Sequence, residues 1–237
     1  MICRAPLNVP ECTYAPKRAS PSPRALHVAR VRDFRVTGAA NEKPWPRIAP
    51  VEMPRVAGGA PLGTRLQCAY GQAGIYFRVE CEDRQLHTTL VRDGEDLWLG
   101  DSLEIFLWPD DKQRVYLQYV VNPLGAELTL LVPNDGCLHV GWQPWRHGGR
   151  RRVQKVIHVE GQREPMGMAR RWTVEVFLPF WLLAGLLPEA PGEGVSWRGN
   201  VFRHDYDGGE HTVWAWCPDT GARTHACDDY GTIVFGG

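Results

Sequence analysis

Asp101-Ser102-Leu103-Glu104-Ile105-Phe106-Leu107-Trp108 is the stretch on which the fold turns. Successive side chains of a strand point to opposite faces, so Leu103, Ile105 and Leu107 share one face while Ser102, Glu104, Phe106 and Trp108 share the other. The first face reads as core. The second carries the chemistry, with Trp98 a few residues upstream. Working outward, the period recurs over residues 115–122, after the short turn Pro109-Asp110-Asp111-Lys112-Gln113. Residues 66–70 and 75–82 flank Gly71-Gln72-Ala73-Gly74, a hairpin by spacing and turn chemistry. Further strands are expected over 127–132, 153–159, 172–179, 196–204, 211–217 and 230–235. An earlier one is expected within 27–36, followed by a turn at Gly38-Ala39-Ala40-Asn41 and by Trp45 as a packing anchor. A helical period is confined to residues 180–187, a short turn before Pro188. Many short strands with Gly and Pro turns specify an all-β protein, an antiparallel β-sandwich of immunoglobulin or jelly-roll-like two-sheet architecture. The absence of a repeat of roughly 20–50 residues argues against a propeller or solenoid.

The chain has 237 residues, 43% of them hydrophobic, enough for a substantial core. Residues 1–25 hold Pro6, Pro10, Pro16, Pro21 and Pro23 among basic and small residues and read as an extended arm. Residues 26–237 then form one sandwich domain. Lys plus Arg and Asp plus Glu number 27 each, so the basic footprint of a nucleic-acid binder is absent, and Arg150 to Arg152 read as a solvated loop face. No run approaches the roughly 20 apolar residues of a membrane span. The N-terminus lacks the apolar stretch of a secretory signal, so an extracellular or periplasmic role requires a native start further upstream, and otherwise the protein is cytoplasmic. Seven Cys are scattered without a C-x-x-C pair, which supports neither a structural zinc site nor a disulfide framework. Free thiols are the simplest reading, with Cys68 and Cys81, on consecutive strands, the pair that could face one another. Ten Trp exceed what packing obviously requires, so some are available as exposed stacking platforms.

Trp98 beside Glu104 would suit a sugar, because a pyranose offers an apolar C–H face to an aromatic ring while its hydroxyls need carboxylate, amide or guanidinium partners on rigid strands. The order of signals resembles that of the family 9 carbohydrate-binding modules and of family 9-like proteins, β-sandwiches of xylan and cellulose degradation systems. The landmarks are Gly38 to Trp45, Ile75-Tyr76-Phe77-Arg78-Val79, Asp101-Ser102-Leu103-Glu104-Ile105-Phe106, Tyr119-Val120-Val121-Asn122-Pro123-Leu124-Gly125, Trp172-Thr173-Val174-Glu175-Val176, Trp197-Arg198-Gly199-Asn200 and His225 to Val234. The resemblance implies non-catalytic binding of an oligosaccharide or polysaccharide, with Trp98 as one of two aromatics sandwiching a terminal glucose or xylose and Glu104 as a sugar-contacting carboxylate. Two departures accompany it. The second aromatic belongs after Trp214-Ala215-Trp216, where His225 is the ring at hand. Where the sugar-binding members place an Arg before the Val-Asn pair, this chain has Val120. Tyr116, Gln118 and Asn122 share a face by alternation and could supply polar contacts instead, as could Asn200 or Arg203. Family members often hold a structural calcium, for which Asp110-Asp111 or Asp205-Asp207 are the segments available.

Three rival readings remain. Related haem-binding sandwiches would need a His with Met53, Met166 or Met168, or two His, placed opposite one another. A glycan-active enzyme would draw two carboxylates from Glu80, Glu82, Asp83, Glu95, Asp96, Asp101 and Glu104, and His204-Asp205-Tyr206-Asp207 with His211 could hold a metal on convergence. A protein-interaction module could use Trp142, Trp145 and Trp181 as its patch.

Overall fold

A strand whose two faces are both apolar needs cover on both sides, and that requirement organises this fold. A computed structural model describes residues 24–38, 44–135, 139–187 and 190–237. The expected Pro-rich arm, up to residue 23, and positions 39–41 of the expected turn lie outside the described residues. The strands are β1 (Ala25–Arg30), β2 (Val51–Glu52), β3 (Arg55–Ala57), β4 (Thr64–Tyr70), β5 (Gly74–Glu82), β6 (Ser102–Trp108) and β7 (Val115–Val121). They continue with β8 (Glu127–Pro133), β9 (Gln143–Pro144), β10 (Gln154–Gly161), β11 (Ala169–Pro179), β12 (Ser196–Asp205), β13 (Thr212–Ala215) and β14 (Gly231–Phe235). The helical period near residue 180 becomes a 3₁₀ turn, Phe180–Leu183, where Pro179 ends β11.

One sheet runs β14-β12-β6-β7-β8-β9, with β13 also on β12 and β3 beyond it. The other runs β10-β11-β5-β4, with β2 on the edge of β4. β1 joins them, since Ala25 to Val28 pair with β14 and Ala29 and Arg30 pair with β4, in both cases parallel. The sandwich is therefore mixed rather than antiparallel throughout. Side-chain alternation reports which face a residue occupies and says nothing of strand direction, which is set by the long return that brings the C-terminal strand beside β1.

Leu103, Ile105 and Leu107 enter the principal core with Leu66, Phe77, Val79, Trp172, Val174, Trp197 and Trp214. On the reverse face of the same sheet, Phe106 and Trp108 join Tyr116, Val120, Leu128, Phe202 and Tyr230 in a second cluster roofed by loops. Every residue of β6 is thus buried, including Glu104. A third cluster, on the other sheet, holds Trp45 against Tyr76 and Phe177, and the Trp45 indole N–H donates to Glu175 Oε1 at 2.8 Å. Cys68, Cys81, Cys217 and Cys227 are free and buried. Cys68 sits opposite Phe77 while Cys81 sits opposite Thr64, so the pair on consecutive strands does not meet. The four-residue offset separates them by roughly 13 Å along the ladder, far beyond disulfide reach.

Candidate functional site

Register on the first sheet assembles a polar group on an apolar face. Glu104 lies opposite Val120, and Phe106 opposite Gln118, across the β6–β7 ladder. On the other flank Phe202 lies opposite Glu104, and His204 opposite Ser102. Residues paired across antiparallel strands share a face, so Glu104, Gln118 and His204 converge although 100 residues separate the first from the last. Gln118 Nε2 donates to Glu104 Oε2 at 3.3 Å, and His204 Nε2 stands 3.6 Å from Glu104 Oε1, too far for a hydrogen bond. That imidazole nitrogen is buried and has no hydrogen-bond partner.

Loops wall this polar floor into a cavity of about 370 Å³ lined by Trp98, Leu99, Trp142, Tyr206, His211 and His225 among others, within the roughly 300–1,000 Å³ typical of small-molecule sites. Trp98 lies in the 3₁₀ turn Leu97–Leu99, whose carbonyl at Trp98 accepts from the Tyr206 hydroxyl at 2.8 Å. Asp101 ties the same loops together: its carboxylate accepts from the backbone N–H of His87 at 2.5 Å and of Tyr206 at 2.9 Å. The first residue of the decisive stretch thus positions the wall rather than lining it. Trp142 is 54% exposed and meets Trp98 edge-on, centroids 6.0 Å apart at 76°. The two rings form a corner rather than a parallel sandwich.

Histidines make up the rest of the wall. His204 Nδ1 and His211 Nε2 are 2.9 Å apart, and His211 stacks on Tyr206 at 4.4 Å and 6°. His225 Nδ1 is 2.8 Å from the Tyr116 hydroxyl, and its ring stacks on His139 at 4.3 Å. Burial, and then His139, push the His225 pKa down to about 4. Burial followed by His204 lowers that of His211. The His211 and His225 rings are therefore neutral acceptors and donors near pH 7.

Of the sequence-predicted site residues, Trp98, Glu104, Gln118 and His225 line one cavity. Tyr116, with no exposed surface, stands behind His225. Asn122 is occupied in a turn: its amide donates to Leu90 O at 2.7 Å and its Oδ1 accepts from the N–H of Gly125 and Ala126, where Gly125 takes φ +98°, a conformation that favours glycine. Asn200 is likewise spent on Cys217 and Thr220. Sequence reasoning does not place Trp142, Tyr206, His204 or His211 in this site. Trp142 is visible there only as one surplus Trp, and the two histidines only as members of a metal set. Trp145 donates to Leu182 O and lies under Arg151, while Arg150 covers Trp181, so the basic cluster rests on two of the spare aromatics. Met53 is core and Met166 and Met168 are exposed. None of the three lines the cavity that gathers the histidines.

The alternation of β12 splits the other candidate cluster. His204 faces the cavity, whereas Arg203 and Asp205 face away, so the His and Asp of the expected metal set do not converge. Arg203, fully buried, reaches Asp83 at 3.3 Å and Asp205 at 2.5 Å and lies over Trp214 at 4.6 Å. Burial raises Asp83 to about 8 and Asp101 to about 7, as expected where several carboxylates crowd a single guanidinium. Asp83, Asp205 and Asp207 bring carboxylate oxygens within 4.8 Å of one another, and Asp207 Oδ2 is buried without a hydrogen-bond partner. That all-oxygen set is the one among the described residues that could hold a hard cation such as calcium. Asp110 instead caps its own turn through Lys112 N and Gln113.

Neither the protein-family models nor the curated proteins gave a match to this sequence. Solved structures did. A candidate carbohydrate-binding protein from Bacteroides uniformis is similar at TM-score 0.66 and 16% identity over 90% of this chain and 100% of that one. A family 9 carbohydrate-binding module from Caldicellulosiruptor kristjanssonii in complex with cellotriose is similar at TM-score 0.62, with 15% identity, over 90% and 94% of the two chains. A family 9 carbohydrate-binding module from the same organism in complex with glucose gives TM-score 0.61 and 16% identity over 90% and 96%. The chain has the fold of these modules.

Proposed function

We propose that this chain is a family 9-like module that binds a saccharide without catalysing a reaction on it. The observation that carries the reading is the corner of Trp98 and Trp142 set over Glu104 and Gln118 in one cavity. A pyranose can lay its C–H face on either indole while its rim hydroxyls meet the carboxylate, the amide and the imidazoles of His211 and His225. The solved relatives of the same fold, bound to cellotriose and glucose, support the ligand class. Glu104 is the one carboxylate among the described lining residues, whereas glycoside hydrolysis needs a pair flanking the bond. Asp101, the nearest carboxylate in sequence, precedes the strand and is engaged by the backbone N–H groups of His87 and Tyr206. The setting that fits is polysaccharide breakdown, with plant glucans among the substrates that the module would bring to an enzyme.

Trp98→Ala tests this reading. The variant should lose the sugar-induced change in tryptophan fluorescence, with affinity falling at least about thirtyfold if Trp98 is a dominant anchor. Its melting transition should stay within a few degrees of wild type, because the ring is only partly buried. Equal binding by wild type and variant, or no wild-type response across a broad glycan panel, would sink the assignment.

A further inference from the structure

Glu104 is 2% exposed, and the one basic side chain paired with it among the described residues is the His204 imidazole, Nε2 to Oε1 at 3.6 Å. Both residues directly opposite it on the flanking strands, Val120 and Phe202, are apolar. Among the described residues no Lys or Arg pairs with it. Its polar neighbours are the Gln118 amide at 3.3 Å and the partnerless His204 Nε2 at 3.6 Å. Arg203, next to His204 in sequence, points through the opposite face and is held by Asp83 and Asp205. The cavity histidines His211 and His225 are kept uncharged near neutral pH, chiefly by burial.

A carboxylate with up to four acceptor positions and one long amide contact keeps a hydrogen-bonding deficit that a ligand entering the cavity can fill. A neutral hydroxyl repairs part of it. A cation repairs all of it, and the indoles of Trp98 and Trp142 at the cavity add a second attraction for positive charge. We infer, resting on the saccharide reading above, that the preferred ligand is an amino sugar, a pyranose whose free ammonium group sits on Glu104 while its ring stacks on Trp98. Acetylation of that amine removes the charge and adds bulk, so the N-acetylated sugar is disfavoured on both counts.

Calorimetry with three probes decides it: a β-linked glucosamine disaccharide, its N-acetylated form, and cellobiose. The titrations are run at about pH 6, because the oxygens around a sugar amine make it a weaker base than an α-amino group, whose own pKa is about 7.7–8.0. The glucosamine disaccharide should bind roughly ten- to hundredfold tighter than cellobiose, the range expected for a hydrogen bond to a buried charge. That preference should shrink with added salt and vanish in Glu104→Gln, while Trp98→Ala should weaken both sugars alike. If Glu104→Gln fails to fold, the salt dependence of the wild type decides the matter: a salt-sensitive amino-sugar isotherm beside a salt-insensitive cellobiose one supports the inference, and identical responses overturn it. Cellobiose binding as tightly as the amino sugar overturns the amino-sugar preference and leaves saccharide binding standing. Silence with all three probes and with a wider glycan panel overturns both.

Discussion

His225→Phe keeps a ring in the cavity wall but removes a group that must stay neutral to be there. In the folded protein, burial and His139 bring the His225 pKa from 6.5 down to about 4, whereas in the unfolded chain it titrates near its ordinary value. A folded-state pKa that is depressed means that the unfolded state takes up the proton first. Stability from this residue is therefore fully present above about pH 6.5 and is lost as pH falls toward 4. At about 1.4 kcal/mol per pH unit, the interval corresponds to roughly 3 kcal/mol as an upper figure. The Phe variant also takes from the Tyr116 hydroxyl its contact with His225 Nδ1, 2.8 Å in the wild type, leaving it the Tyr230 hydroxyl, and so should be less stable by about 0.5–1.5 kcal/mol near neutral pH. That second penalty does not depend on pH over this range. Urea unfolding of both proteins between neutrality and about pH 4 separates the two: the stability gap between wild type and variant should narrow by up to about 3 kcal/mol, or reverse, on acidification. Taking the difference cancels the opposite contribution of Asp83 and Asp101, whose raised values favour folding at lower pH. A gap that is independent of pH, or that widens on acidification, would refute the account of a neutral, buried His225.

Arg203→Met leaves Asp83 and Asp205 buried without their guanidinium, and should destabilise the protein by about 3–5 kcal/mol, a fall in Tm of about 6–20 °C; a fall under about 3 °C by circular dichroism would count against the network. Asn122→Ala removes the Leu90, Gly125 and Ala126 contacts and should lower stability by about 1–3 kcal/mol in urea titrations, while sugar affinity measured by calorimetry stays at the wild-type value. Calcium should raise Tm relative to chelator if Asp83, Asp205 and Asp207 hold it, with the rise absent in Asp207→Asn; identical melting in calcium and chelator would leave those carboxylates to Arg203 alone.

Local pattern carried a large part of the fold. The strand 102–108 reads directly from its alternation and matches β6, and the hairpin around residues 71–74 reads from its turn chemistry, with β4 and β5 reaching one or two residues beyond the expected strands. Short edge pieces such as β2, β3 and β9 escaped, because two or three residues carry no measurable period and their pairing depends on a neighbour already in place. At the cavity, Trp98 and Glu104 were close enough in sequence to be considered together. Trp142 and Tyr206 were not, since nothing in their local sequence announces that a residue just before β9 and another just after β12 line the same cavity.

By itself, then, the sequence determined the strands, the apolar face of β6 and the pairing of a tryptophan with a carboxylate, all of which follow from side-chain periodicity and turn propensity acting over a few residues. The tertiary structure alone decided three things: that β1 runs parallel to both its partners, that Asn122 and Asp101 hold turns while Gln118 and His204 face the cavity, and that Glu104 is left between Val120 and Phe202 with no Lys or Arg among the described residues beside it. Register and strand order set those outcomes, and both depend on contacts from 14 positions apart, as for Gln118 and Glu104, to about 200, as for β1 and β14, that no local pattern encodes.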